Sequence, residues 1–176
     1  MRFRPVLCLF ALVLACGIQH AFAAGANIVA LGASWTYGSG RDGRGGVKTG
    51  VNPSEAYPAL LEALLQAKGI DAQVTNAGVP GDSTDGMYAR LTSAVPDGTQ
   101  LVIVEVPIQH ETGDTRANVA KIVSALEARG VKVIMLDKRG IKSSPDLFDG
   151  GHPSARGQAV MATRLLPKVI AAIGHQ

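Results

Sequence analysis

Cysteine is nearly absent from these 176 residues, and its two copies, Cys8 and Cys16, both fall within the first 23. A chain cut after residue 23 has no thiol left for a disulfide, a zinc-thiolate site or a cysteine nucleophile. Long apolar runs are also missing. The stretch Val6 to Ala15 is about half the roughly 20 residues that a membrane-spanning helix needs, and no later segment approaches it. No G-x-x-x-x-G-K-[ST] phosphate loop occurs. Nor is there an excess of charge of one sign. Of 17 Lys and Arg against 14 Asp and Glu, Arg2 and Arg4 lie in the leading segment, which leaves 15 basic and 14 acidic residues with their signs interspersed. A nucleic-acid or acidic-lipid binder concentrates its basic residues on one face, so neither partner is expected.

The composition is that of one globular domain: 47% hydrophobic and 18% charged residues exclude disordered and collagen-like chains. Residues 1–23 have the layout of a secretory signal peptide. Arg2 and Arg4 supply the positive start, Val6 to Ala15 the apolar centre and Ala21-Phe22-Ala23 a small-residue cleavage site. The expectation is an exported domain over 24–176, periplasmic or secreted. Val13-Leu14-Ala15-Cys16 loosely resembles a lipobox, so a lipid anchor at Cys16 is the main alternative, and an uncleaved anchor is a further one.

Along the domain, short apolar runs alternate with helical periodicity. Strands are expected at Asn27 to Leu31, Ala72 to Thr75, Leu101 to Val106 (central) and Val131 to Leu136 (buried). Helices are expected around Tyr57 to Leu65, ending at Gly69, and over Asp82 to Ala94, Asp114 to Arg129 and Ser154 to Ile173, the last with a kink at Pro167. The glycine-rich stretch Gly38 to Gly50 is expected to be a long loop. Near-continuous apolar strands between helices indicate a parallel sheet covered on both faces, a three-layer α/β/α sandwich. Sites in such sheets form beyond the carboxyl ends of the strands.

Ser34 stands just after the first strand, in Gly32-Ala33-Ser34-Trp35-Thr36-Tyr37-Gly38. A serine there can be a turn or cap residue, or a nucleophile if a general base lies nearby. His152 ends Asp149-Gly150-Gly151-His152, just before the last helix. An aspartate three residues upstream can turn back and hold an imidazole, or it can serve only its own turn. Elsewhere, His110 and Glu111 with Glu105 are a weak metal-site candidate. Trp35 and Tyr37 are either packing residues or pocket walls, and Arg41, Arg44 and Lys48 belong to a solvated loop or attract an anion.

Taken with Asn76-Ala77-Gly78-Val79-Pro80-Gly81-Asp82-Ser83-Thr84 after the second strand, these segments resemble the SGNH (GDSL-type) hydrolase family, nearest its periplasmic thioesterase, lysophospholipase and arylesterase branch. The likeness runs from Ile28 to about Leu166. It implies Ser34 as nucleophile, His152 as base, Asp149 as the residue orienting it, and Gly81 as an oxyanion donor beside the Ser34 N–H. It implies no cofactor, and a small ester or acyl substrate. Three features depart from the family pattern. Ala33 replaces the aspartate usual before the nucleophile, which is expected to loosen the hydrogen bonding there. Pro107-Ile108-Gln109-His110 stands where Gly-x-Asn-Asp is usual, leaving Gln109 or His110 as the side-chain oxyanion donor. The short span from Asp137 to Phe148 implies a reduced sheet of four parallel strands in the order 2-1-3-4. The alternatives are a weakened carbohydrate- or lipid-binding domain of the same fold, and a glycan O-acetyl esterase or transferase.

Overall fold

The structure, a computed structural model, describes residues 25–41, 47–48, 50–107, 113–149 and 151–174. The leading 23 residues, and with them the expected export signal and Cys16, lie outside these, as do Gln109, His110, Glu111 and Gly150.

Strand β1 (Ala26–Gly32) runs directly into a one-turn helix, α1 (Ser34–Tyr37). Two two-residue strands follow, β2 (Gly40–Arg41) and β3 (Val47–Lys48), paired antiparallel, so the stretch expected to be a loop carries a small hairpin. Residues 38–43 also fit the G-x-G-x-x-G spacing of dinucleotide loops, but the stretch opens after the helix α1 and not after a strand, as that motif requires. Helix α2 (Tyr57–Gln66) leads to β4 (Ala72–Gly78), then α3 (Thr84–Ala89), α4 (Leu91–Ala94), β5 (Leu101–Val104), α5 (Thr115–Glu127), β6 (Lys132–Met135) and α6 (Ala155–Ile173). The helix expected over 82–94 is divided at Arg90, whose backbone leaves helical geometry (φ −97°, ψ 9°). The last helix continues through Pro167.

The main sheet has the order β4-β1-β5-β6, all pairs parallel, which is the expected 2-1-3-4. Its two inner strands show why both faces are covered. Ile28 and Ala30 of β1 and Leu101 and Ile103 of β5 pack with Tyr57, Leu61 and Leu65 of α2 and Met161, Leu165 and Val169 of α6. The intervening Val29, Leu31, Val102 and Val104 face Met87, Leu91, Ile122 and Leu126 from α3, α4 and α5. Successive strand side chains point to opposite faces, so an unbroken apolar run serves two cores at once. Strand β6 departs from expectation in its burial: at the edge that this order gives it, its ends are exposed and its centre half-buried, since no further strand lies beyond it among the described residues.

Ile103 is fully buried against α2 and α6. Ile103→Ala is expected to lower unfolding free energy by about 2–5 kcal/mol, measured by urea denaturation.

Candidate active site

The site is built from the carboxyl ends of the parallel strands. Because β1 ends at Gly32 and α1 starts at once, Ser34 sits at the mouth of an inner strand, half-buried. A helix of four residues cannot satisfy its own first amides, and the residue at its N-cap, Ala33, has no side-chain acceptor. The acceptor comes from the next strand. Glu105, just past β5 and 1% exposed, places Oε2 at 2.9 Å from the Ala33 N–H, 2.8 Å from the Thr36 N–H and 2.7 Å from the Thr36 hydroxyl. Gly32 makes room for it: a Cβ there would lie 2.6 Å from Oε2 and 2.1 Å from Thr36 Oγ1. The loosening expected from Ala33 is thus countered by a carboxylate 72 residues away in sequence.

Further contacts fasten α1 from other sides. Since the Thr36 proton goes to Glu105, the Tyr57 hydroxyl donates to Thr36 Oγ1 at 3.2 Å. Fully buried Gln158 of α6 donates to the Trp35 carbonyl at 3.1 Å and accepts the Tyr57 N–H at 2.9 Å, joining α6, α1 and the start of α2. Lys138, in the segment after β6, lies 3.6 Å from Glu105 Oε1, donates to the Val106 carbonyl and sits 4.8 Å from the Trp35 ring centre. Burial pulls its ammonium below the usual lysine range, and the Glu105 charge opposes that shift.

Gly81 lies in the turn Val79-Pro80-Gly81-Asp82, closed by Asp82 N–H to the Val79 carbonyl at 3.1 Å. Proline second and a glycine at φ +79° third are the residues a type II turn demands. This turn is bound to the Ser34 turn through one atom, the Gly32 carbonyl oxygen, which accepts both the Val79 N–H (3.0 Å) and Arg90 Nη2 (2.9 Å). Arg90 Nε in turn holds the nearly buried Asp82 carboxylate at 2.7 Å. The break between α3 and α4 at Arg90 falls at this junction.

Asp149 and His152 occupy a closed loop before α6. Asp149 N–H donates to the His152 carbonyl (2.9 Å), while Asp149 Oδ1 accepts the backbone N–H of His152 (2.8 Å) and of Gly151 (3.3 Å). One carboxylate oxygen therefore performs the local turn role, and the half-buried imidazole is carried on a fixed backbone. Phe148 pairs with Pro153 across the base of the loop and brings its ring to 5.8 Å from Trp35, so the loop lies against α1. Ser34, Gly81 and the Asp149–His152 loop are thus at one end of the sheet. No group of three His, Cys, Asp or Glu able to hold a metal occurs among the described residues. Glu105, named above in a metal candidate, serves the α1 backbone, and the other members of that candidate, His110 and Glu111, lie outside the described residues.

Glu105 as anchor, Gln158 and the Asp82–Arg90 pair were not identified from the sequence. Glu105 left a signal: a single acid in the apolar run Leu101 to Val106 must be partnered if that strand is buried. Gln158 and Arg90 left none, since polar residues are ordinary on helices.

Two outcomes follow from this packing. A Cβ on Gly78 would lie 2.3 Å from the Tyr37 backbone nitrogen, whereas one on Gly81 meets nothing within 4 Å. Gly78→Ala should therefore cost about 1–3 kcal/mol through overpacking and Gly81→Ala about 1–2 kcal/mol through its left-handed backbone. Only Gly78→Ala should also displace α1, detectable as faster amide exchange across residues 33–37. Burial, above all, drives the Tyr57 phenol well above its ordinary value, with Thr36 opposing and the Glu105 charge adding to it. Its protonated form is retained in the folded state, so its contribution to stability is complete below about pH 10 and is lost as pH rises further. In an alkaline titration, Tyr57 phenolate absorbance should appear only as the helical circular dichroism disappears.

No family model matches the chain. Esterase TesA of Pseudomonas aeruginosa is 29% identical over 103 residues, 55% of this chain and 50% of TesA, so the chain spans about half the length of the curated relative it matches. The structure of the psychrotrophic esterase EstA from Pseudoalteromonas sp. superposes with a TM-score of 0.66 at 14% identity, covering 85% of this chain and 99% of EstA. That of AlinE4, an SGNH-hydrolase family esterase, superposes with a TM-score of 0.53 at 24% identity, covering 89% of this chain and 76% of AlinE4. The four-stranded sheet, with Ser34 at the mouth of its first strand, is the fold of the SGNH (GDSL-type) esterases.

Proposed function

We infer that this chain is an exported serine esterase of the SGNH type, hydrolysing small carboxylic esters or thioesters through an acyl-enzyme. The observation that carries this is Ser34 itself, set at a strand mouth on a turn fastened from three directions. In this reading Ser34 Oγ attacks the acyl carbonyl while His152 accepts its proton, because a neutral serine hydroxyl is a poor nucleophile. Asp149, whose Oδ1 accepts the backbone N–H groups of Gly151 and His152, is assigned in this reading the orienting of the imidazole and the stabilising of the imidazolium. The N–H groups of Ser34 and Gly81, with Gln109 or His110 as side-chain donor, receive the oxyanion. The tetrahedral intermediate collapses as His152 gives that proton to the departing alcohol or thiol; water then attacks the acyl-enzyme while His152 takes a proton from it, and that proton passes to Ser34 Oγ as the carboxylic acid leaves. No metal or organic cofactor enters these steps.

The similarity to TesA and to esterases of this fold supports the reading, EstA among them, whose crystal structure is inhibited by monoethylphosphonate. For export, the support is the pattern of residues 1–23. No helix among the described residues is long and apolar enough to cross a membrane.

Hydrolysis of short p-nitrophenyl esters by the chain starting at Ala24 tests this. Ser34→Ala and His152→Ala should each lower kcat by about 10⁴-fold or more, and Asp149→Asn by a smaller factor, since triad members act as a unit. Folded wild-type protein no faster than these variants would overturn the esterase and favour a binding domain.

A further inference from the structure

We propose that Glu105 and Lys138 form a charge-balanced positioning pair for the Ser34 nucleophile. This rests on the assignment of Ser34 above. Three neighbouring strands, β1, β5 and β6, deliver residues 33–36, 105–106 and 138 to one point beneath the serine. Glu105 Oε2 takes the N–H groups of Ala33 and Thr36, on either side of Ser34, and leaves the Ser34 N–H out of the clasp. It is that intervening N–H which the oxyanion needs. A carboxylate at this position orients the peptide without consuming its donor.

The same carboxylate poses an electrostatic problem. It is a buried anion within one residue of the place where acyl transfer develops negative charge, and in a site of low dielectric that repulsion opposes the reaction. Lys138 supplies the counter-charge from the opposite side: it faces Oε1, while the clasp uses Oε2. The Val106 carbonyl and the Trp35 ring hold its ammonium in place, and Trp35 is the residue after the nucleophile. Neither residue touches the substrate in this scheme. Both act through the Ser34 turn, Glu105 by geometry and Lys138 by balancing charge.

The test compares wild type, Ser34→Ala, Glu105→Gln, Lys138→Met, Lys138→Arg and the double variant Glu105→Gln/Lys138→Met. It reads kcat and KM on a p-nitrophenyl ester, the rate of Ser34 labelling by a fluorophosphonate, and amide exchange across residues 33–37. Glu105→Gln and Lys138→Met should each lower kcat and labelling rate by about 10- to 100-fold, the range for sub-ångström to ångström misplacement of a reacting group, with KM within about twofold. Glu105→Gln should also accelerate exchange at Ala33 and Thr36. Lys138→Arg should recover most of the loss. The double variant, with both charges removed, should outperform Lys138→Met. Wild-type labelling rates in folded Glu105→Gln and Lys138→Met overturn the pair while leaving Ser34 as nucleophile. So does a double variant whose losses multiply. Wild-type protein that is never labelled at Ser34, or Ser34→Ala that retains turnover, overturns the nucleophile assignment and the pair with it.

Discussion

A helix one turn long cannot hold itself together, and the residue with the most chemical promise in this chain begins such a helix. Glu105 reaches in from the next strand to accept one amide of α1, that of Thr36, and the amide of Ala33 just before the helix. Much of the local architecture can be understood from that need. Gly32 lacks a side chain because the carboxylate occupies its space. Thr36 turns its hydroxyl inward, and Tyr57 is buried with its own hydroxyl against that threonine. Lys138 leaves the solvent to lie beside the acid, because burying one charge without the other is far more costly than burying both.

The Gly32 carbonyl shows a second economy. By accepting both the Val79 N–H and the Arg90 guanidinium, it ties the turn after β4 to the turn after β1. The division of the expected 82–94 helix at Arg90 then has a local reason, since the arginine must serve Gly32 and Asp82 together. Helical periodicity could not anticipate this. The apolar pattern from Met87 to Leu91 reads as continuous, and a backbone change made for one polar side chain leaves no mark on it.

The fold was legible because its signal is collective. Four apolar runs, each too uniform for a one-sided sheet, indicated a parallel sheet covered on both faces, while its order and extent came from the family resemblance, against which the span from Asp137 to Phe148 is short. Ser34 and the Asp149–His152 loop were legible because they are local in sequence and sit where such sheets place their chemistry. The burial of β6 was misjudged, since Val131 to Leu136 looks like an inner strand, whereas among the described residues it has a strand on one side alone. The anchors of the site were hidden for another reason. Glu105 acts across 69 to 72 residues and Gln158 across 101 to 123, and pairings that long are decided only once the sheet has assembled.

The sheet's truncation at β6 bears on how the protein behaves among its own copies. An open strand edge is a template on which another chain can add itself, and such edges seed aggregation unless they are guarded. This edge is four residues long and opens with an exposed lysine, whose ammonium is fastened to the Ala172 carbonyl at the end of α6. A stray strand docking there would have few ladder positions to use and a fixed positive charge at the entry. The shortness of this edge therefore limits what can polymerise upon it.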